Sequence, residues 1–149
     1  MFGNREKMPT GTYFNNIDVK GRIIIPQKLR YSLGERIWLA KGVDPCLYIF
    51  TQQDWDDFKS RYINDLSMTD AKARRLQRFM LGGAHELEID RQGRVNIPQN
   101  LIDYAGIGKE VAIIGCPNRI EVWSSEAYEK DMSPDNLDPN ELMMGAVED

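Results

Sequence analysis

This chain holds little that does covalent chemistry or grips a metal. One histidine, His85, stands among 149 residues, and only two cysteines, Cys46 and Cys116, are present. That is too few for a disulfide framework or a four-ligand structural zinc site. Each cysteine adjoins a proline (Pro45-Cys46, Cys116-Pro117), which reads as a small thiol in or near a turn, kept reduced in the cytosol. His85 lies in no HxxxH, HxH or Cys/His cluster and reads as a structural or solvated side chain. GxSxG, GxxxxGK[ST] and GxGxxG are all missing. The chain is therefore not read as an enzyme, and neither a cofactor nor a small-molecule substrate is expected.

Long apolar runs are missing too. No segment approaches the ~20 residues that span a bilayer, and the start MFGNREKMPT has no apolar stretch like that of a signal peptide. Cytoplasmic residence without a membrane partner is the expectation. Excess positive charge, the usual footprint of a nucleic-acid binder, is also lacking, since the net charge is −4. Its distribution matters more than its sum. The segment 126–149 holds eight acids against one base, Lys130, leaving residues 1–125 at a net +3. A mildly basic body carries an acidic appendage.

What the chain does contain is a repeat. Residues 17–29 read IDVKGRIIIPQKL and residues 89–101 read IDRQGRVNIPQNL, with eight identities in thirteen ungapped positions. The likeness continues loosely through Gly34 and Gly106, then RIWLAKG against EVAIIG and LYIF against IEVW. Each copy has the same grammar. A strand ending near Asn16–Asp18 or Leu87–Asp90 meets a glycine turn at Gly21 or Gly93, and a second strand follows over 22–25 or 94–97, so each copy reads as a β-hairpin. Pro26 and Pro98 open short helices, and Gly34 and Gly106 are expected to close them. Strands over 36–41 and 46–50, then 110–114 and 119–123, complete the two units. Runs such as Ile23-Ile24-Ile25 and Val111–Ile114 exceed what one small unit buries, which points to pairing between units or subunits.

Between the copies, Trp55, Phe58, Tyr62 and Leu66 recur at helical spacing over 51–66, with Thr51 as the cap. Ser67-x-x-Asp70 resembles a capping box opening a second helix to about Leu81, whose Lys72, Arg74, Arg75 and Arg78 form a basic surface. That surface reads as a solvated helix face or an ion-pair surface between subunits. Ser124 or Ser125 caps a last short helix to about Met132, and the tail from Ser133 shows no periodicity and is expected to be mobile. The resulting division is unit one at 12–50, a helical insert at 51–83, unit two at 84–132 and a disordered acidic tail at 133–149. Units and insert make up a folded body from residue 8 to 132.

Asp18 and Asp90 could be read as paired catalytic carboxylates. Their four-residue spacing to Arg22 and Arg94 across a glycine turn better fits an ion pair pinning each hairpin. An arginine just past such a turn can also grip guanine or phosphate, and the two roles are compatible.

The doubled motif, DVKGRIIIP and DRQGRVNIP, resembles the AbrB-like swapped-hairpin DNA-binding fold. Two such units with a helical insert are similar to the MraZ family in particular, over roughly residues 8–130. The resemblance implies an α+β, mainly β fold, with two swapped-hairpin units forming a pseudo-symmetric β-barrel. It implies a nucleoid-associated transcriptional regulator of the division and cell-wall gene cluster. Such a protein acts as a ring-shaped homo-oligomer on tandem direct repeats of promoter DNA. The motif residues are Asp18, Gly21, Pro26, Asp90, Gly93 and Pro98, and the expected DNA-binding residues are Lys20, Arg22, Lys28, Arg30, Arg91 and Arg94. Gln92 and Asn100 replace Lys20 and Lys28 in the second copy, so the first copy is expected to be the stronger DNA contact. The competing reading is an AbrB-like scaffold or antitoxin-type module whose main partner is another protein, with the acidic tail as its binding segment.

Overall fold

The structure, a computed structural model, describes residues 10–147. The expected start of the folded body at Met8 and the tail residues Glu148 and Asp149 lie outside the described residues. Among the described residues there are eight strands and six helices. In chain order the strands are β1 (Gly11–Asn16), β2 (Arg22–Ile24), β3 (Arg36–Lys41), β4 (Leu47–Phe50), β5 (His85–Glu88), β6 (Arg94–Asn96), β7 (Glu110–Cys116) and β8 (Arg119–Ser124). The helices are α1 (Gln27–Arg30), α2 (Gln52–Tyr62), α3 (Ala71–Gly82), α4 (Gln99–Ala105), α5 (Ser125–Asp131) and α6 (Pro139–Val147). A 3-10 turn over Pro134–Asn136 precedes α6.

The two copies fold into each other. One six-stranded antiparallel sheet runs β1-β7-β8-β4-β3-β5, and β2 pairs with β6 in a separate two-stranded ribbon. Exchanging one copy for the other maps β1-β7-β8 onto β5-β3-β4, so a pseudo-twofold axis passes between β8 and β4 and through the ribbon. The sheet is open at β1 and β5 and does not close into the expected barrel. Nor do the first and second strands of either copy pair as the expected hairpin. Each copy's first strand pairs with the other copy, β1 with β7 and β5 with β3, while its second strand joins the ribbon. The reason is burial. Pairing across copies sets Ile23 opposite Val95, and both side chains are sealed against the sheet with Ile25, Leu29, Ile97 and Leu101. At about 1.5–3 kcal/mol per fully buried aliphatic side chain, that core outweighs anything a lone hairpin with one wet face could hold.

The long apolar runs follow from the same architecture. On the other face of the sheet, α2 packs Trp55 and Phe58 onto Tyr48 and Phe50, beside Trp123. Strands β4, β7 and β8 are thus covered on both sides, and all four residues of β4 are buried. Among the described residues no helix is long and apolar enough to cross a membrane.

Several boundaries differ from expectation. Thr51 caps α2, accepting from the Asp54 N–H at 3.0 Å, but the helix ends at Tyr62, before Leu66. Asp70, rather than Ser67, caps α3 by accepting from the Lys72 N–H. Gly106 closes α4 in the left-handed region at φ 63°, whereas α1 stops after one turn and Gly34 plays no such part. The acidic tail is not irregular over its described residues. Asp138 accepts from the N–H groups of Asn140 and Glu141, and Pro139 follows it at the start of α6, a capping pair that periodicity does not reveal.

Candidate nucleic-acid interface

Each copy's glycine turn is a rigid loop built around one carboxylate. Asp18 Oδ1 accepts from the backbone N–H groups of Lys20 and Arg22, both at 2.9 Å, and Asp18 Oδ2 takes the Arg22 Nε–H at 2.7 Å. In the second copy Asp90 does the same with Gln92, Arg94 and the Arg94 Nε–H, at the same distances. The Asp18 N–H donates to the Arg22 carbonyl, and the Gly21 N–H to the Asp18 carbonyl. Gly21 and Gly93 stand at φ 84° and 81°, where a Cβ would be strained. The carboxyl groups of Asp18 and Asp90 are held below the usual carboxylate range. The arginine backbone N–H bond is the main cause, followed by the guanidinium and the second backbone N–H.

The turns are also tied across the copies. The Ile25 N–H donates to the Gly93 carbonyl at 2.9 Å, and the Ile97 N–H to the Gly21 carbonyl at 2.8 Å. Each loop therefore ends in a backbone contact with the strand of the opposite copy, just before Pro26 or Pro98. Those prolines take the N-cap place of α1 and α4.

The ribbon's alternation decides what points outward. Ile23 and Val95 face the core, so Arg22, Ile24, Arg94 and Asn96 share the opposite face, with Arg22 across from Asn96 and Arg94 across from Ile24. The two arginines lie on a diagonal of about 7–8 Å between Cα positions. Nε of each is occupied by its aspartate. Lys20 and Arg91 stand exposed on the two turns, beside Val19, which is wholly exposed at the first tip.

Arg30 and Lys28 sit on α1, which the fold carries to the second copy's turn. A Cβ built on Gly93 would lie against the Arg30 guanidinium, and Arg30 Nε is buried with no hydrogen-bond partner among the described residues. The repeat counterpart of Arg30 is Ile102, whose Cδ1 lies 3.3 Å from a Cβ built on Gly21. The first turn is thus flanked by an apolar side chain and a cleft of about 490 Å³ reaching Asn96 and Gln99. The charge balance expected from sequence shifts accordingly. One base written in the first copy, Arg30, packs at the second turn beside Arg91 and Arg94. Sequence reading missed Ile24 and Asn96, although the period-two alternation through Arg22 and Arg94 places them on the same face.

Outside this face the chemistry is sparse. His85 opens β5 and is partly buried, and no group of three or more His, Cys, Asp or Glu side chains able to hold a metal occurs among the described residues. Cys46 is buried, and that burial pushes its thiol pKa up. A buried carboxylate, Glu121, is satisfied by Trp123 Nε1–H at 2.8 Å and by Arg119 Nε–H at 2.8 Å, and Arg119 lies over the Tyr48 ring. This network braces β8 and was not anticipated.

Comparison with known proteins also finds two matching units in the chain. Residues 8–79 and 80–141 each match the family described as "MraZ protein, putative antitoxin-like". The chain belongs to the MraZ family. It is 48% identical over 130 residues to a protein of Caldicellulosiruptor bescii named transcriptional regulator MraZ, covering 87% of this chain and 90% of that one. A protein of the same name from Acetivibrio thermocellus is 42% identical over 127 residues, covering 85% and 88%. One strand of the ribbon comes from each MraZ unit, so its outward face exists only when both units are folded together.

Proposed function

We propose that this chain is a transcriptional regulator, as its relatives are named, and that it binds double-stranded DNA through the outward face of the β2/β6 ribbon. The observation that carries the reading is the pair Arg22 and Arg94 on one exposed face, each held by an aspartate. A two-stranded ribbon fits the major groove, where arginine can take guanine O6 and N7 bidentately. The aspartate grips Nε and leaves the terminal nitrogens to reach a base or phosphate, so the pin preorganises the contact. Lys20, Arg91, Lys28 and Arg30 supply phosphate contacts around it. We take the exchange of strands between the copies as the swapped-hairpin arrangement.

The finer reading follows the family resemblance. The chain acts in the cytoplasm with the nucleoid, at tandem direct repeats upstream of the division and cell-wall gene cluster, as a ring-shaped homo-oligomer. One ribbon offers few contacts and binds weakly, and a ring of ribbons on repeated sites gains affinity through effective concentration.

The test is fluorescence anisotropy on the promoter region of the chain's own operon at two salt concentrations, for wild type and Arg22→Ala. Tight binding that falls steeply with salt and weakens at least tenfold in the folded variant is expected. Equal affinity for promoter and random DNA, with the variant unchanged, would sink this reading in favour of a protein partner.

A further inference from the structure

The acidic tail and the basic helix α3 are complementary and lie apart in the chain. Helix α6 buries almost nothing, with Leu142, Met143 and Met144 exposed by 53%, 66% and 56%. Nine-residue helices are marginal alone in water, because isolated helices need roughly 12–15 residues to hold. Its apolar residues also recur as Leu142, Met143 and Ala146, the spacing of a helix that lays one face in a groove. Asp138, which caps it, and Glu141 in its first turn make its start negative, with Asp135 in the 3-10 turn before it.

An apolar groove of about 320 Å³ opens between α2 and α3, with Phe58, Tyr62, Leu76 and Met80 among its lining and Arg119 at one end. Beside Leu76, which lines the groove and is 39% exposed, Lys72 and Arg75 stand exposed on α3, neither in an ion pair among the described residues. Groove and tail stand at opposite ends of β8. Arg119 begins that strand and Ser124, at its end, caps α5, from which the tail leaves, a separation of roughly 20 Å for six extended residues.

We infer that α6 of one copy docks in the α2/α3 groove of a second copy, its Leu142 and Met143 in the groove and its acids against Lys72 and Arg75. Repeated head to tail, such a contact propagates into rings or filaments, whereas a reciprocal exchange of tails would close a twofold dimer. The inference rests on the self-assembly proposed above and names the contact that makes it.

Sedimentation of the full chain, with and without Leu142→Asp plus Met143→Asp, tests it. The wild type is expected to sediment as an assembly and the variant as smaller species, with an association constant at least tenfold lower and unchanged circular dichroism. Charge reversal provides the second arm. Lys72→Glu plus Arg75→Glu weakens assembly, and adding Asp138→Lys plus Glu141→Lys restores it. Mixing Met143→Cys chains with Tyr62→Cys chains, both in a Cys116→Ser background, should give a disulfide between the two populations. Wild type that assembles, with the apolar variant assembling equally and no mixed disulfide, overturns this contact and leaves the ring reading standing. A wild type that is monomeric at every concentration overturns both. DNA affinity lost while assembly persists strikes the DNA reading alone.

Discussion

The two glycine turns are locally the same and differ in what the other copy brings to them. Asp18 and Asp90 make matching bonds at matching lengths, and Gly21 and Gly93 share a conformation. Yet the first turn is backed by Ile102 and the second by Arg30. On the ribbon's outer face, Ile24 of the first copy occupies the place that Asn96 holds in the second. A duplication has thus kept the loop and varied its surroundings. The lesson is that an exchanged fold reads charge across copies. A base's effect is felt at the turn its helix packs against, not the one it follows in sequence.

The largest expected effect comes from the core under the ribbon. Ile23 and Val95 occupy the same repeat position and face each other across the pseudo-axis. Ile23→Ala should cost about 2–5 kcal/mol in denaturant unfolding, and Val95→Ala about 1 kcal/mol less, one methylene's worth. Equal losses would mean that the two halves relax differently around the deleted atoms.

Next comes DNA affinity. Arg22→Ala and Arg94→Ala should each weaken promoter binding by about 10–100-fold, the worth of one bidentate base contact. The first should cost more affinity, because Arg30 remains beside the second turn to hold phosphate when Arg94 is lost. Anisotropy with single-base operator variants distinguishes loss of preference from uniform loss. Lysine or arginine contacts that only meet phosphate, such as Lys20, should lower the salt slope by about 1 when removed, whatever the sequence.

A third comparison uses the glycines. Alanine at either position meets the left-handed backbone, at about 1–3 kcal/mol. At Gly93 the new methyl also collides with the Arg30 guanidinium, whereas at Gly21 it meets the Ile97 carbonyl oxygen at 3.2 Å and Ile102 Cδ1 at 3.3 Å. Arg30→Ala should therefore rescue part of the Gly93→Ala loss and none of the Gly21→Ala loss, a double-mutant cycle with a built-in control.

These differences mark where sequence reading stopped. The eight identities announced the repeat, and the Asp–Gly–Arg spacing announced the turn and its pin, because those interactions are local. Strand partners are not local. Arg22–Ile25 carries a strand pattern whether it pairs with the preceding strand or with another copy, and only burial of Ile23 against Val95 settles the choice. Arg30 could not be assigned to the second turn before that choice was made. Likewise Asp138-Pro139 is a helix start that hydrophobic periodicity overlooks, because α6 covers no core of its own.

The smallest expected effect is a difference of zero, and it is the sharpest check on the local equivalence of the turns. Folding lowers the pKa of both Asp18 and Asp90, so each contributes stability that is present above its ordinary, unfolded-state value. That contribution is lost as pH falls through the lowered folded value, when the carboxylate must be protonated and can no longer accept from three donors. Asp18→Asn and Asp90→Asn should each flatten the acid limb of the stability curve by the same amount, since neither Ile102 nor Arg30 enters the bonds that hold the carboxylates. The double variant should flatten it twice as far if the sites are independent. Unequal flattening, measured by denaturant unfolding at stepped acid pH, would show that the guanidinium of Arg30 reaches the second turn's carboxylate through space. The charge gathered at that turn would then bear on its stability as well as on its partner.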